Sequence, residues 1–208
     1  MERLNFGYNF YMKWLALAAA GFLCGAIPFS VWLTRLFYRV DPRDYGDGNP
    51  GAFNTFRTGK FGLGLVVLAL DISKAILPVG YAWRALGLRG IPLAVIAIAP
   101  MLGHAFSPFL RFHGGKALAT ALGVWIGLTG WTVSGAAALG TLLGKAFFAN
   151  SGWSALTGMA LALPAIFIFR EEKILLLVWL LQMALLTWTL REDLAKAPQF
   201  RPWLKRLF

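Results

Sequence analysis

Gly103-His104-Ala105-Phe106-Ser107-Pro108 runs through Phe112-His113-Gly114-Gly115-Lys116 to Ala119-Thr120-Ala121-Leu122-Gly123, and this stretch decides how the chain is read. It sets a histidine, two adjacent glycines and a lysine between two apolar runs, each long enough to enter a bilayer. Adjacent glycines let backbone N–H groups converge on one point. A following helix start adds the positive end of its dipole, and the lysine adds a point charge. Together they offer what a phosphate needs, at a membrane boundary.

Composition agrees with that placement. The chain is 58% hydrophobic and 14% charged, with a mean hydropathy of +0.64. Long uncharged apolar runs of this kind predict an all-α integral membrane protein, a single polytopic membrane domain over residues 1–208. The formal net charge is +11. Its basic residues sit between apolar runs and in the C-terminal tail, where they meet anionic lipid headgroups and set topology; nucleic acid is not expected as a partner. Cys24 is the only cysteine, so neither an internal disulfide nor a cysteine metal cluster can form. Ala16-Leu17-Ala18 resembles a cleavage site but falls inside the first apolar run, so no cleaved signal peptide is expected.

Outward from the opening stretch, the first run covers residues 14–34 and ends at Arg35, with a kink expected at Pro28. Residues 35–60 are polar and rich in turn formers, including Tyr45-Gly46-Asp47-Gly48-Asn49-Pro50-Gly51-Ala52-Phe53-Asn54-Thr55-Phe56-Arg57, and are expected as a structured loop without helix. That loop is either a chain of surface turns or a cradle of backbone N–H groups and Asn amides around an anion, with Arg57 as its fork. The second run, residues 61–82, carries Asp71 and Lys74 at i and i+3. They share a helix face and form either a functional intramembrane pair or a neutralised pair that locks packing. The third run, residues 91–109, is punctuated by Pro92, Pro100 and Pro108 and carries His104 near its end. Residues 116–149 exceed one span and divide at Thr129-Gly130-Trp131 into a fourth and a fifth segment. The sixth run is 153–169, closed by Arg170-Glu171-Glu172-Lys173, and the seventh is 174–190. The tail 191–208, with Trp203, Leu204, Leu207 and Phe208 among Arg201, Lys205 and Arg206, is expected on the membrane surface.

Basic residues choose a side. Arg35, Arg39, Arg43, Arg57, Lys60, Arg111, Lys116, Lys145 and the tail outnumber Arg3, Lys13, Arg84, Arg89, Arg170 and Lys173, which predicts the first group as cytoplasmic. About seven spans then leave the N-terminus outside and the C-terminus inside. Loops 35–60, 110–116 and 145–153 fall on that one face. Paired carboxylates, a Ser–His–acid arrangement and metal-ligand spacing are all missing, so no metal or cofactor is expected.

These residues resemble a known family, the bacterial membrane acyltransferases that move a fatty acyl group from acyl phosphate to glycerol 3-phosphate. Gly25-Ala26-Ile27-Pro28 is similar to the family's Gly-Ser-Ile-Pro, and Gly48-Asn49-Pro50-Gly51-Ala52-Phe53-Asn54 to its Gly-Asn-x-Gly-Ala-Thr-Asn loop, with Arg57 as the family arginine. Leu70-Asp71-Ile72-Ser73-Lys74 resembles Leu-Asp-x-x-Lys. Gly103-His104 and Gly114-Gly115-Lys116 with Ala119-Thr120 resemble the second loop motif, and Ser151 and Ser154 keep a Ser-x-x-Ser spacing. The chain departs from the pattern at Asp47 for serine, Phe53 for threonine, His113 for the basic residue before Gly-Gly-Lys, and Ala117 for glycine. Leu190 stands for the histidine of the last motif. Asp47 adds a negative charge where a phosphorylated acceptor is expected.

The resemblance implies acyl phosphate and glycerol 3-phosphate (or another polyol phosphate) as substrates, membrane lipids as surroundings, and an inner-membrane site facing the cytoplasm. It implies catalytic roles for Lys116, Arg57, Ser151 and His104, with Gly48, Asn49, Asn54, Gly114, Gly115, Thr120, Ser154 and Asp47 around the substrate. In this reading Lys116 and the Gly114 and Gly115 backbone bind phosphate, Arg57 and Asn54 bind the acceptor or a second phosphate, and His104 orients the loop. Two alternatives stand beside it. One is a divergent member with another acceptor or no catalysis; the other is a small transporter with Asp71, Lys74 and His104 along its path.

Overall fold

The computed structural model describes residues 2–169 and 172–203, with side chains from Met12 onward. Arg170-Glu171, the Arg3 side chain and the tail residues Leu204 to Phe208 lie outside the described residues. Among those described the chain is helical, with one isolated bridge between Phe148 and Phe200 and no named strand. Four stretches are long and apolar enough to cross a membrane: Met12–Tyr38, Phe61–Ala85, Gly90–Leu110 and Ser151–Phe169. Leu118–Thr129 and Ile174–Thr189 are apolar but shorter. The chain divides into two compact units, residues 1–128 and 129–208.

In the first unit, α1 (Glu2–Ala26) and α2 (Phe29–Tyr38) are one apolar run broken at Ile27-Pro28, as the proline's missing donor requires. The break leaves carbonyls without helical partners, and side chains from elsewhere fill them. Ser107 Oγ donates to the Ala26 carbonyl at 2.6 Å, and Lys74 Nζ donates to the Ile27 carbonyl at 3.1 Å. Loop 35–60 is not free of helix as expected. A 3₁₀ turn at Pro42–Asp44 is capped by Asp41, and α3 (Ala52–Arg57) follows Gly51, whose extended backbone starts the new helix. The Asp41 carboxylate also takes Arg35 at 2.6 Å and Arg43 at 2.7 Å, which pins the loop to the end of α2.

Helix α4 (Phe61–Gly80) continues through a π turn to Ala85, and α5 (Gly90–Ala105) and α6 (Leu118–Thr129) complete the unit. Gly25 lies against the Pro100 backbone and Gly103 against the Phe22 carbonyl, so α1 and α5 meet backbone to backbone. Gly123 of α6 meets the Ile72 carbonyl of α4 in the same way. Without a hydrophobic drive between helices in lipid, such close approach is what joins them.

The second unit holds α7 (Trp131–Phe147), α8 (Ser151–Ile166), α9 (Ile174–Thr189) and α10 (Arg191–Leu194). The division expected at Thr129-Gly130-Trp131 is present, with Gly130 at φ 63°. The expected loop 145–153 is shorter than foreseen, because Lys145 belongs to the last turn of α7 and Ser151 opens α8. Gly140 and Gly144 pack on α8 beside Thr157 and Ser154. The tail folds back on its own unit: Arg201 N–H donates to the Phe147 carbonyl at 2.8 Å and Trp203 Nε1 to the Ala146 carbonyl at 3.0 Å.

Candidate active site

The polar centre of the first unit is built around a carboxylate. Asp47 lies between Gly46 at φ 63° and Gly48 at φ 74°, on a turn that only glycines enter without strain. A Cβ on Gly46 would also run into the Arg57 guanidinium and Asn54. Asp47 Oδ1 accepts from the Asn49 N–H at 3.3 Å, the two-residue reach of an Asx turn, and from Asn54 Nδ2 at 2.9 Å. Asp47 Oδ2 accepts from Lys116 Nζ at 2.7 Å. Arg57 Nη1 stands 4.0 Å from Oδ1 and donates to Asn54 Oδ1 at 3.1 Å. Partial burial pushes the pKa of this carboxyl up, but the Lys116 hydrogen bond and charge, with Asn54 and the Asn49 N–H, outweigh it. The group is held below the usual carboxylate range.

Two expectations are corrected here. The cradle of amides does surround an anion, but that anion is the chain's own Asp47. The N–H groups of Gly114 and Gly115 are not aimed at a ligand either. They donate to the Ala105 carbonyl at 3.0 Å and the His104 carbonyl at 2.9 Å, because the chain doubles back along the end of α5. Side chains at these glycines would strike that backbone and the His104 ring, so both glycines serve close packing. His104 thus braces the lysine loop, with its side chain 9% exposed and its Nδ1 3.9 Å from Asp71. Asp71 and Lys74 pair at 2.8 Å, with side chains 4% and 2% exposed. Of the two readings of that pair, the packing lock is the one the geometry carries.

A small cavity is lined by Pro28, Pro50, Asp71, His104, Ser107 and Gly115, the last reaching it from beside Lys116. Thr120 is fully buried in the first turns of α6, and its hydroxyl has no hydrogen-bond partner among the described residues. In the second unit Ser154 is buried and its hydroxyl donates to the Asn150 carbonyl at 3.0 Å, while Ser151 opens α8. Sequence reading missed Ser107, whose lone hydroxyl in an apolar run gave no sign of the Ala26 carbonyl it serves. It also missed that Asp47 binds Lys116, although Asp-Gly-Asn did announce the turn.

A family model for glycerol-3-phosphate acyltransferase matches residues 15–198. The chain belongs to the glycerol-3-phosphate acyltransferase family. The family's protein from Thioalkalivibrio sulfidiphilus is 37% identical over 182 residues, 87% of this chain and 88% of that one. Among solved structures, PlsY (YgiH), an integral membrane glycerol 3-phosphate acyltransferase, is similar in two forms. The glycerol 3-phosphate form has a TM-score of 0.81 at 28% identity, covering 94% of this chain and 99% of the other. The lysophosphatidic acid form has a TM-score of 0.77 at 25% identity, covering 88% and 90%.

The departures from the family pattern now have places. Ala117, where the resemblance expects glycine, holds φ 58°, the left-handed region that favours glycine. Phe53 is 56% exposed and stacks edge-on against Phe56. Leu190, in place of the histidine, is fully buried at the end of α9.

Proposed function

We propose that the chain transfers a fatty acyl group from acyl phosphate to the hydroxyl of glycerol 3-phosphate, forming lysophosphatidic acid for phospholipid synthesis. Family membership supports the reaction class. The observation that carries the site is the array of Lys116, Asn54 and Arg57 around one carboxylate, a donor set as fit for phosphate oxygens as for Asp47. The acceptor oxygen forms a bond to the acyl carbon, the acyl carbon–phosphate oxygen bond breaks, and the proton leaves with phosphate. Because the donor is already activated, the protein's work is to hold both anions and to stabilise charge on the carbonyl and phosphate oxygens. Lys116 and Arg57 supply that charge, Asn49 and Asn54 orient the acceptor, and His104 braces the lysine loop. Ser151, Ser154 and Thr120 enter the reading as hydroxyl donors on the strength of the family resemblance. The site faces the cytoplasm in the inner membrane, in a chain that crosses about seven times with its N-terminus outside.

The test is a transfer assay in detergent with palmitoyl phosphate and glycerol 3-phosphate. Lys116→Ala is expected to lower kcat/KM by about ten- to a hundredfold, with the melting temperature unchanged. Unaltered turnover in that variant refutes the assignment. One feature favours a second reading, an acceptor of different charge, and that feature is Asp47 itself. A panel of polyol phosphates and uncharged polyols separates the two.

A further inference from the structure

Asp47 occupies the array that the proposed function gives to phosphate, and nothing in acyl transfer calls for a carboxylate there. Its two oxygens take the Lys116 ammonium, the Asn54 amide and the Asn49 N–H, with the Arg57 guanidinium next in reach. A phosphate oxygen asks the same of the same donors. The Asp47 side chain is 45% exposed, and it stands on a turn whose left-handed positions are taken by Gly46 and Gly48. Both halves of an exchange are therefore present: donors already gathered around an anion, and an anion whose side chain is open to solvent.

We propose that Asp47 is a resident anion that holds Lys116, Asn54 and Arg57 in a phosphate-ready array and must leave it before glycerol 3-phosphate binds, so that it sets acceptor affinity. This rests on the reading of the array as the acceptor-phosphate site. Asp47 acts through competition and touches no reacting atom, so it is a specificity-determining residue. The carboxylate balances the charge of the cationic groups in the empty protein, and the same contacts weaken the incoming ligand, since any substrate affinity is a difference between two occupancies. A purely structural Asp47 predicts the opposite outcome when its charge is removed, because the array would then fall apart and binding would weaken.

The experiment measures glycerol 3-phosphate binding by titration calorimetry in detergent, without an acyl donor, on the full chain and on Asp47→Asn and Asp47→Ser. Asparagine keeps the shape and the acceptor for Asn54 while losing the charge. Both variants are expected to bind about fivefold more tightly, the scale of one partly exposed ion pair. In donor-saturated assays KM for glycerol 3-phosphate is expected to fall with kcat unchanged. Equal or weaker binding in both variants overturns the proposal, as does undetectable binding in all three proteins. Tighter binding without ester formation in any of them leaves the resident anion standing and sinks acyl transfer. Ester formation with unchanged binding does the reverse.

Discussion

Lys74 is 2% exposed, its ammonium shared between the Asp71 carboxylate at 2.8 Å and the Ile27 carbonyl at 3.1 Å. Taking one member of a buried pair away leaves the other charge without compensation, which costs about 3–5 kcal/mol. Lys74→Met is therefore expected to lower the melting temperature in detergent sharply, and Lys74→Met with Asp71→Leu is expected to recover most of the loss. A single variant that melts like the parent chain refutes the lock. The pair itself was legible, because positions i and i+3 face one way on any helix. Its third partner was not, since Ile27 lies 47 residues away and only the break at Pro28 exposes its carbonyl. Gly114 and Gly115 failed as phosphate donors for a related reason. Their flexibility can be read from the sequence, whereas the carbonyls that claim their N–H groups belong to a chain reversal that no local pattern encodes.

Among elements, the runs matching Met12–Tyr38, Phe61–Ala85, Gly90–Leu110 and Ser151–Phe169 were placed closely because lipid demands continuous apolar length, and Gly130 marked a true boundary. Helix α3 was missed, since the six residues from Ala52 to Arg57 are too few to display an apolar period. Helix contacts were also legible in principle. Gly140 and Gly144, and likewise Gly123 and Gly127, stand four apart, the spacing that lets two backbones meet. In the second unit Gly144 lies against the Ser154 backbone, where a side chain has no room. Gly144→Leu is expected to destabilise the α7–α8 contact by about 1–3 kcal/mol, measured as a drop in thermal midpoint. Gly135→Leu, on the same helix with open space around it, is the control and is expected to change little. Equal melting of both variants would remove close packing as the cause.

At the scale of the whole molecule, the basic residues predict an orientation that labelling can read. The stretch Phe61–Ala85 is long enough to cross a bilayer, and Lys60 and Leu86 bracket it. In a Cys24→Ala background, Lys60→Cys is expected to react with an impermeant maleimide only in inside-out vesicles, and Leu86→Cys only in right-side-out ones. The reverse pattern would turn the site away from the cytoplasm. One consequence of the fracture at Pro28 concerns biogenesis. The ribosome delivers α1 and α2 first, yet the hydroxyl and ammonium that quiet the Ala26 and Ile27 carbonyls arrive with Ser107 and Lys74. A nascent chain halted before residue 107 therefore carries the bare Ala26 carbonyl in hydrocarbon, so the earliest helices to be synthesised wait on residues made much later. Secure insertion of the opening stretch is thereby tied to synthesis through Ser107, just past α5, and quality-control proteases are expected to recognise the unfinished product.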